Sequence, residues 1–234
     1  MIKDTLKIKG KDIPVQIGDV SQFDLKFYAD NPRIFSIVHA DTTSPSQEDI
    51  ERKLLKMEHV KQLIKDIKDN DGLMEAVIVH GGNMDVVEGN SRLAAYRELA
   101  RKDPIKWGKI RAKILPKDIK ESDILALLGQ YHIIGKKDWQ PYEIAGYLYR
   151  QIEHGKMTEE QLANQINLKK PQVTQHIKVY KFMVDHDASP TRWSYYDEYI
   201  KSKYIKKMRK EYPEVDKVIV SKIKSEEIPR AVDV

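Results

Sequence analysis

Cysteine is absent from this chain of 234 residues, which excludes disulfide staples, thiolate metal ligands and any reaction that needs a thiol. A reducing compartment fits that absence. Long apolar runs are also missing. No stretch approaches the roughly 20 consecutive apolar residues of a membrane span, and the N-terminus has no apolar signal-peptide region, so the expected location is cytoplasmic with no membrane partner. Nor is one sign of charge in great excess: 41 Lys and Arg stand against 36 Asp and Glu, a net charge of +5, which favours a polyanionic partner only mildly. With no covalent staples the fold rests on buried apolar area, and a chain of this length supplies a core for one to two domains.

The most informative stretch runs from Asp85 to Leu99, Asp-Val-Val-Glu-Gly-Asn-Ser-Arg-Leu-Ala-Ala-Tyr-Arg-Glu-Leu. Met84 to Val87 read as the end of a strand. Leu93, Ala94, Tyr96 and Leu99 fall on one apolar helical face, so Gly89 and Asn90 occupy a strand-to-helix junction. Such a junction presents unpaired backbone N–H groups and the positive end of a helix dipole, and glycine lets the backbone approach a ligand closely. That is the chemistry of an anion site, to which Arg92, about one turn in, adds a bidentate phosphate donor. The alternative is an ordinary strand-turn-helix with a surface arginine, since one Gly and one Arg make a short motif.

Upstream, Thr5 to Lys9 and Ile13 to Ile17 alternate in polarity and are broken by Gly10 and Pro14, which predicts a small hairpin. Leu25 to Tyr28 leads into Asp30-Asn31-Pro32-Arg33-Ile34, a turn signal because proline disfavours helix for the residue before it. Ser44-Pro45-Ser46-Gln47 predicts a helix with a capping serine, proline at its first position and a capping-box glutamine. Ile50, Leu54, Met57, Leu63, Ile64 and Ile67 continue it as a core-facing stripe to Lys68, with room for two helices meeting near Glu58. Asn70-Asp71-Gly72 ends the helix, Leu73 to His80 predicts a buried strand, and Gly81-Gly82-Asn83 turns the chain into the strand before Gly89. Beyond Leu99, Arg101 to Lys109 reads as a charged loop, Ile110 to Leu115 as a strand and Asp118 to Leu128 as a helix.

From Pro141 the pattern is helical throughout. Ile144, Ala145, Leu148 and Ile152 give one amphipathic helix ending near Gly155. Thr158-Glu159-Glu160-Gln161 is a capping box opening a second, with Leu162, Ala163 and Ile166 inside and Asn167 in the turn. Lys169-Lys170-Pro171-Gln172-Val173 starts a third, through Ile177 and Tyr180. The spacing of Ala163, Asn167 and Val173 is that of a helix-turn-helix, although a plain helical hairpin has the same elements. In a DNA complex the third helix would offer Lys170, Gln172, Thr174, Gln175 and Lys178 to base edges, and Lys169 and Lys181 to phosphates. Asp185, His186 and Asp187 are consecutive, so they diverge on any regular element and do not make a metal site. Trp193, Tyr195, Tyr196 and Tyr199 read as the core of a helical extension. Lys201, Lys203, Lys206, Lys207, Arg209 and Lys210 read as its solvated face, with a DNA-backbone contact as the alternative. After Pro213 the chain runs through Ile228 and Pro229 to Val234 with no capping motif, which suggests a piece cut from something longer.

Glu88-Gly89-Asn90-Ser91-Arg92-Leu93-Ala94-Ala95-Tyr96 resembles the phosphate-binding box of the ParB and sulfiredoxin superfamily. Asn31-Pro32-Arg33 is similar to the first box of ParB nucleotide-binding domains, and the placement of Pro171 is similar to the ParB recognition helix. Together these cover roughly residues 15 to 185. In ParB proteins the main box, usually Gly-Glu-Arg-Arg followed by an aromatic, wraps the triphosphate of CTP. Gly89 and Arg92 match it, while Asn90, Ser91 and Ala94 stand in place of Glu and two Arg. Sulfiredoxins have their reactive cysteine at the position of Asn90, so sulfiredoxin activity is excluded. Where ParB proteins carry Glu-Asn-Ile-Gln-Arg, with Glu and Asn helping to hold magnesium, this chain has Tyr131 and His132, which lack the hard oxygen ligands magnesium prefers.

The resemblance implies a mixed α/β ParB/sulfiredoxin-like nucleotide-binding domain over residues 1–116, an all-α helix-turn-helix DNA-binding domain over 117–184, and a helical basic extension over 185–234. It implies CTP or another nucleoside triphosphate with magnesium, held by Asn31, Arg33, Glu88, Gly89, Asn90, Ser91, Arg92 and Lys136. It implies double-stranded DNA held by Lys169, Lys170, Gln172, Thr174, Gln175, Lys178 and Lys181, and a homodimer closing as a clamp. No metal site built from protein side chains alone is expected. The function so implied is DNA binding in chromosome or plasmid partition, or in the regulation of DNA transactions. Two rivals stay open. One is a nucleotide-dependent enzyme of the same superfamily, an NTP hydrolase, free-serine-kinase-like enzyme or nuclease, with Glu75 and Glu88 as catalytic candidates beside Asp30 and Asp85. The other is an interaction module that binds no ligand.

Overall fold

Lys9 and Gly10 both take positive φ, 47° and 76°, and this two-residue turn folds β1 (Ile2–Ile8) back on β2 (Lys11–Ser21) as an antiparallel hairpin. Pro14 does not break it. It sits inside β2 opposite Thr5, and the next strand pairs with β2 only from Gln16 onward, so its missing N–H removes no ladder bond there. The computed structural model describes residues 1–40, 42–131, 139–155 and 157–234. Two compact units divide it, Met1–Asp138 and Trp139–Val234.

The first unit is built on a six-stranded mixed sheet. Besides the hairpin it contains β3 (Lys26–Phe27), β4 (Val77–Val79), β5 (Asp85–Glu88) and β6 (Lys109–Ile114), in the spatial order β1-β2-β6-β4-β5-β3. β6 and β4 are parallel, as are β5 and β3, while the remaining pairs are antiparallel. Its helices are α1 (Phe35–Val38), α2 (Gln47–Leu55), α3 (Glu58–Asp69), α4 (Asn90–Ala100), α5 (Pro104–Trp107) and α6 (Glu121–Gly129). Ile50, Leu54, Val60 and Ile67 of α2 and α3 and Leu93, Ala94 and Leu99 of α4 close over Val77, Val79, Val86 and Phe27 to form the core. Under this cover Glu51 of α2, itself buried, accepts from Arg97 at 3.1 Å and Arg101 at 2.5 Å, both from α4's C-terminal end. Arg97 also lies over the Phe27 ring, 4.6 Å from its centre, and so ties helix to sheet by charge and by contact.

Three expectations need correction. The helix after Thr43 starts two residues later than Ser44 predicts: Ser46 is the cap, accepting the Asp49 N–H at 3.1 Å. Gln47 turns its amide to both backbone groups of Phe27, at 2.6 and 3.0 Å, instead of closing a capping box. The strand predicted over Leu73 to His80 is confined to Val77–Val79, because the carbonyls of Glu75 and Ala76 accept from Arg92 instead of joining the ladder. Arg101 to Lys109 is not simply loop. Asp103 caps α5 by accepting the Lys106 N–H at 3.0 Å, and Trp107 packs edge-on against Tyr96.

The second unit is all helical: α7 (Pro141–Glu153), α8 (Glu159–Ile166), α9 (Lys170–Asp185), α10 (Trp193–Lys201), α11 (Lys203–Glu211) and α12 (Val215–Lys224). Thr158 and Gln161 form the reciprocal capping box, and Asn167 takes the left-handed turn at φ 55° between α8 and α9. Gly146 lets α7 approach α9, since a Cβ there would lie 2.7 Å from the Tyr180 ring. Tyr196 and Tyr199 are fully buried against Val179, Phe182 and Met183. Arg209 of α11 lies over Phe182 and Tyr199 while pairing with Asp216 at 2.7 Å, so part of the basic run closes this core. No helix among the described residues is long and apolar enough to cross a membrane.

Candidate functional site

β5 ends at Glu88 and α4 begins at Asn90, and the turn between them is Gly89 alone, at φ 101°. Only glycine fits comfortably. A Cβ there would stand 2.8 Å from Val77 Cγ1 and 2.9 Å from Arg92 Nε, besides needing a left-handed backbone. With no side chain at the cap and no acidic residue in the first turn of α4, nothing in this helix's own sequence answers its free N–H groups or its positive dipole end. That end opens into a cavity of about 760 Å³ lined by, among others, Arg33, His59, Asp66, Glu75, Ser91 and Arg92, within the size range of small-molecule sites.

Two asparagines hold the preceding loop in place. Asn90 accepts the Tyr28 N–H at 3.0 Å and donates to the Val86 carbonyl at 2.9 Å. Asn31 donates to the Val87 carbonyl at 2.8 Å and accepts the Arg33 N–H at 3.0 Å, an Asx turn that sends Arg33 along the cavity. Both asparagines line the cavity, but their amides are engaged in shaping it. Arg33 is half-buried, and among the described residues its guanidinium has no ion-pair or hydrogen-bond partner.

Arg92 is placed differently from the motif's promise. It faces the cavity, yet its guanidinium donates to Glu88 at 2.8 Å, to the Glu75 carbonyl at 3.0 Å and to the Glu75 carboxylate at 3.4 Å. It is a clasp between the loop before β4 and the β5–α4 junction. Both catalytic candidates, Glu75 and Glu88, are therefore counter-ions to Arg92. Lys136 and His132 lie outside the described residues. Among those described there is no cluster of three metal-ligating side chains, and Glu75 and Glu88 of the cavity lining both pair with Arg92, so the described residues offer no ready-made magnesium site.

His59 has no counterpart in the sequence reading. It is the second residue of α3, and its Nε2 lies 3.1 Å from the Ser91 hydroxyl. His59 remains exposed overall, but partial desolvation of its ring holds its pKa below the ordinary histidine value, and the positive charge of Arg33 adds to the effect. The only sequence signal was one histidine beside an apolar stripe, and its meaning depends on α3 lying next to α4.

In the second unit α9 presents Lys170, Thr174, Lys178 and Lys181 at steps of four, four and three, hence along one stripe. Lys178 and Lys181 are exposed with no ion pair among the described residues, whereas Lys170 is 3.9 Å from Glu160. Thr174 donates its hydroxyl to Glu159, which joins α8 to α9, and lies 3.1 Å from the Lys170 carbonyl of its own helix. Gln172 lies about half a turn from the lysine stripe, and its side-chain oxygen accepts the Lys169 N–H at 2.9 Å. Gln175 is half-buried and donates to Asp197 of α10 at 3.0 Å. The two glutamines thus fix the start and the flank of α9.

No family model matches the sequence, and no curated protein matches it significantly. Among solved structures, a Pnob8-like ParB-N domain is similar at 11% identity with a TM-score of 0.49, over 90% of this chain and 99% of that one. The C-terminally truncated chromosome-partitioning protein ParB from Caulobacter crescentus is similar in two forms. Complexed to the centromeric parS site it gives 12% identity and a TM-score of 0.39, over 89% of this chain and 99% of that one. Complexed with CTP-γ-S it gives 14% and 0.31, over 77% and 92%.

Proposed function

We propose that the first unit binds a nucleoside triphosphate with its phosphates at the start of α4, and that the second presents α9 to double-stranded DNA, making the chain a ParB-like DNA-binding protein governed by a nucleotide. The observation that carries the nucleotide half is the uncapped, acid-free N-terminus of α4 opening into a cavity beside Arg33. Backbone N–H groups and a guanidinium are the donors that phosphate oxygens take. Gly89 leaves the close approach such a ligand needs. CTP is the nucleotide that the resemblance of Glu88 to Tyr96 implies. The engagement of Glu75 and Glu88 with Arg92 favours a binding role over hydrolysis, because a general base must be free to take a proton.

The DNA half is supported by the Asn167 turn between α8 and α9 and by the lysine stripe of α9. Lysines on such a stripe supply phosphate contacts and, at the groove floor, guanine contacts. A homodimer that closes around DNA, with a role in partition or in regulating DNA transactions, belongs to the same proposal.

Calorimetric titration with CTP, ATP and GTP in magnesium tests the first half: saturable binding of at least one supports it, and no heat with any of them removes it. Filter binding of duplex DNA tests the second. Retention at about 50 mM salt that falls steeply by about 200 mM is expected from counterion release, and no retention, or no salt dependence, contradicts it.

A further inference from the structure

We infer that His59 and Ser91 form a proton-coupled phosphate clamp: when an anionic phosphate enters the cavity, His59 takes up and keeps a proton, its imidazolium Nε2–H donates a hydrogen bond to Ser91 Oγ, and Ser91 turns its own hydroxyl hydrogen to the phosphate. This rests on the nucleotide reading of the same cavity and adds a positioning residue that the ParB resemblance does not contain.

The geometry is specific. His59 Nε2 is 3.1 Å from Ser91 Oγ, and Ser91 is the second residue of α4, so its hydroxyl stands beside the free N–H groups of that helix's first turn. A serine hydroxyl both accepts and donates, so it can pass the histidine's charge-assisted hydrogen bond on to a phosphate oxygen. The surroundings explain why a ligand would change the charge of His59. Partial desolvation and, after it, the charge of Arg33 from the loop before α1 disfavour the imidazolium. On α4, Arg92 is a second cation. Of the carboxylates that line the cavity, Glu88 of β5 and Glu75 of the loop before β4 both pair with Arg92. On α3 itself, Glu58 pairs with Lys61 at 3.1 Å and Asp66 accepts from Gln62 at 2.8 Å. A phosphate adds its own negative charge beside Ser91 and Arg33, which favours the imidazolium of His59, and the proton comes from the buffer.

The test is calorimetry with inorganic triphosphate as the probe and the full chain at about pH 7.5, in two buffers of different ionisation enthalpy. Wild type is expected to bind with net proton uptake. His59→Gln keeps a hydrogen-bonding side chain but cannot take the charge. It is expected to bind about tenfold more weakly, the loss of one charge-assisted hydrogen bond, and to take up fewer protons. Ser91→Ala is expected to lose the same uptake by breaking the relay. Because the ligand is identical throughout, any uptake that belongs to the phosphate itself persists in His59→Gln. Equal uptake in wild type and His59→Gln, or no uptake in wild type, overturns the clamp while leaving the cavity a triphosphate site. Absence of binding overturns both, and the isotherm alone distinguishes the two failures. His59 is exposed, so the substitution leaves the core intact.

Discussion

Arg92 donates to Glu88 at 2.8 Å across the junction of β5 and α4, and both side chains are nearly buried, 13% and 12% exposed. The arginine that the motif offers as a phosphate ligand is therefore, in the free protein, part of the frame. Arg92→Ala should take from the nearly buried Glu88 the guanidinium it accepts from and cost about 3 kcal/mol of stability, measured by urea unfolding. A loss below about 1 kcal/mol would mean that the clasp does not hold the junction.

Arg33 should behave in the opposite way. Its guanidinium has no partner among the described residues, so Arg33→Met should change stability by no more than about 0.5 kcal/mol. It should weaken triphosphate binding by about tenfold or more, as a charged hydrogen bond to phosphate is worth. Thermal unfolding and calorimetry on the same preparation separate the two. An unchanged affinity would remove Arg33 from the site.

Stability without ligand should fall with acidity through His59. Its folded pKa is depressed by burial and by Arg33, so the unfolded chain binds the proton more readily. The contribution is complete above the ordinary histidine pKa of about 6.5 and is lost as pH falls through the lower folded value. Urea unfolding at about pH 7.5 and pH 5.5 should show a smaller acid-induced loss in His59→Gln than in wild type, and equal losses would contradict this.

On α9 the stripe and the glutamines should part company. Lys178→Ala and Lys181→Ala should each lower the salt slope of DNA binding by about one unit with little effect on folding. Gln175→Ala removes a 3.0 Å bond to Asp197 and should cost about 1 kcal/mol of stability while leaving the salt slope unchanged. A change of preferred DNA sequence in Gln172→Ala would show that this residue reads bases besides accepting the Lys169 N–H.

The strand-to-helix turn at Gly89 was legible because Gly89 and the apolar face of Leu93, Ala94, Tyr96 and Leu99 are local features, and the α8–α9 turn was legible through Thr158, Gln161 and Asn167. What the sequence hid is tertiary. Arg92 meets Glu75 across 17 residues of sequence, and His59 meets Ser91 across 32; neither pairing leaves a periodic trace. The shortened β4 has the same origin, since a strand-like composition at Leu73 to Ala76 yields to carbonyls drawn onto Arg92. Gln175 reads from its helix position as a base-contacting residue, and only the packing of α10 against α9 shows its amide bound to Asp197.

The central claim is that a nucleotide's phosphates sit on the first turn of α4. It is tested most directly by following backbone amide resonances during titration with CTP. The largest shifts should fall on the N–H groups of Asn90, Ser91 and Arg92 and saturate with the calorimetric affinity. Shifts that leave these three in place, or that cluster away from the cavity, would contradict it.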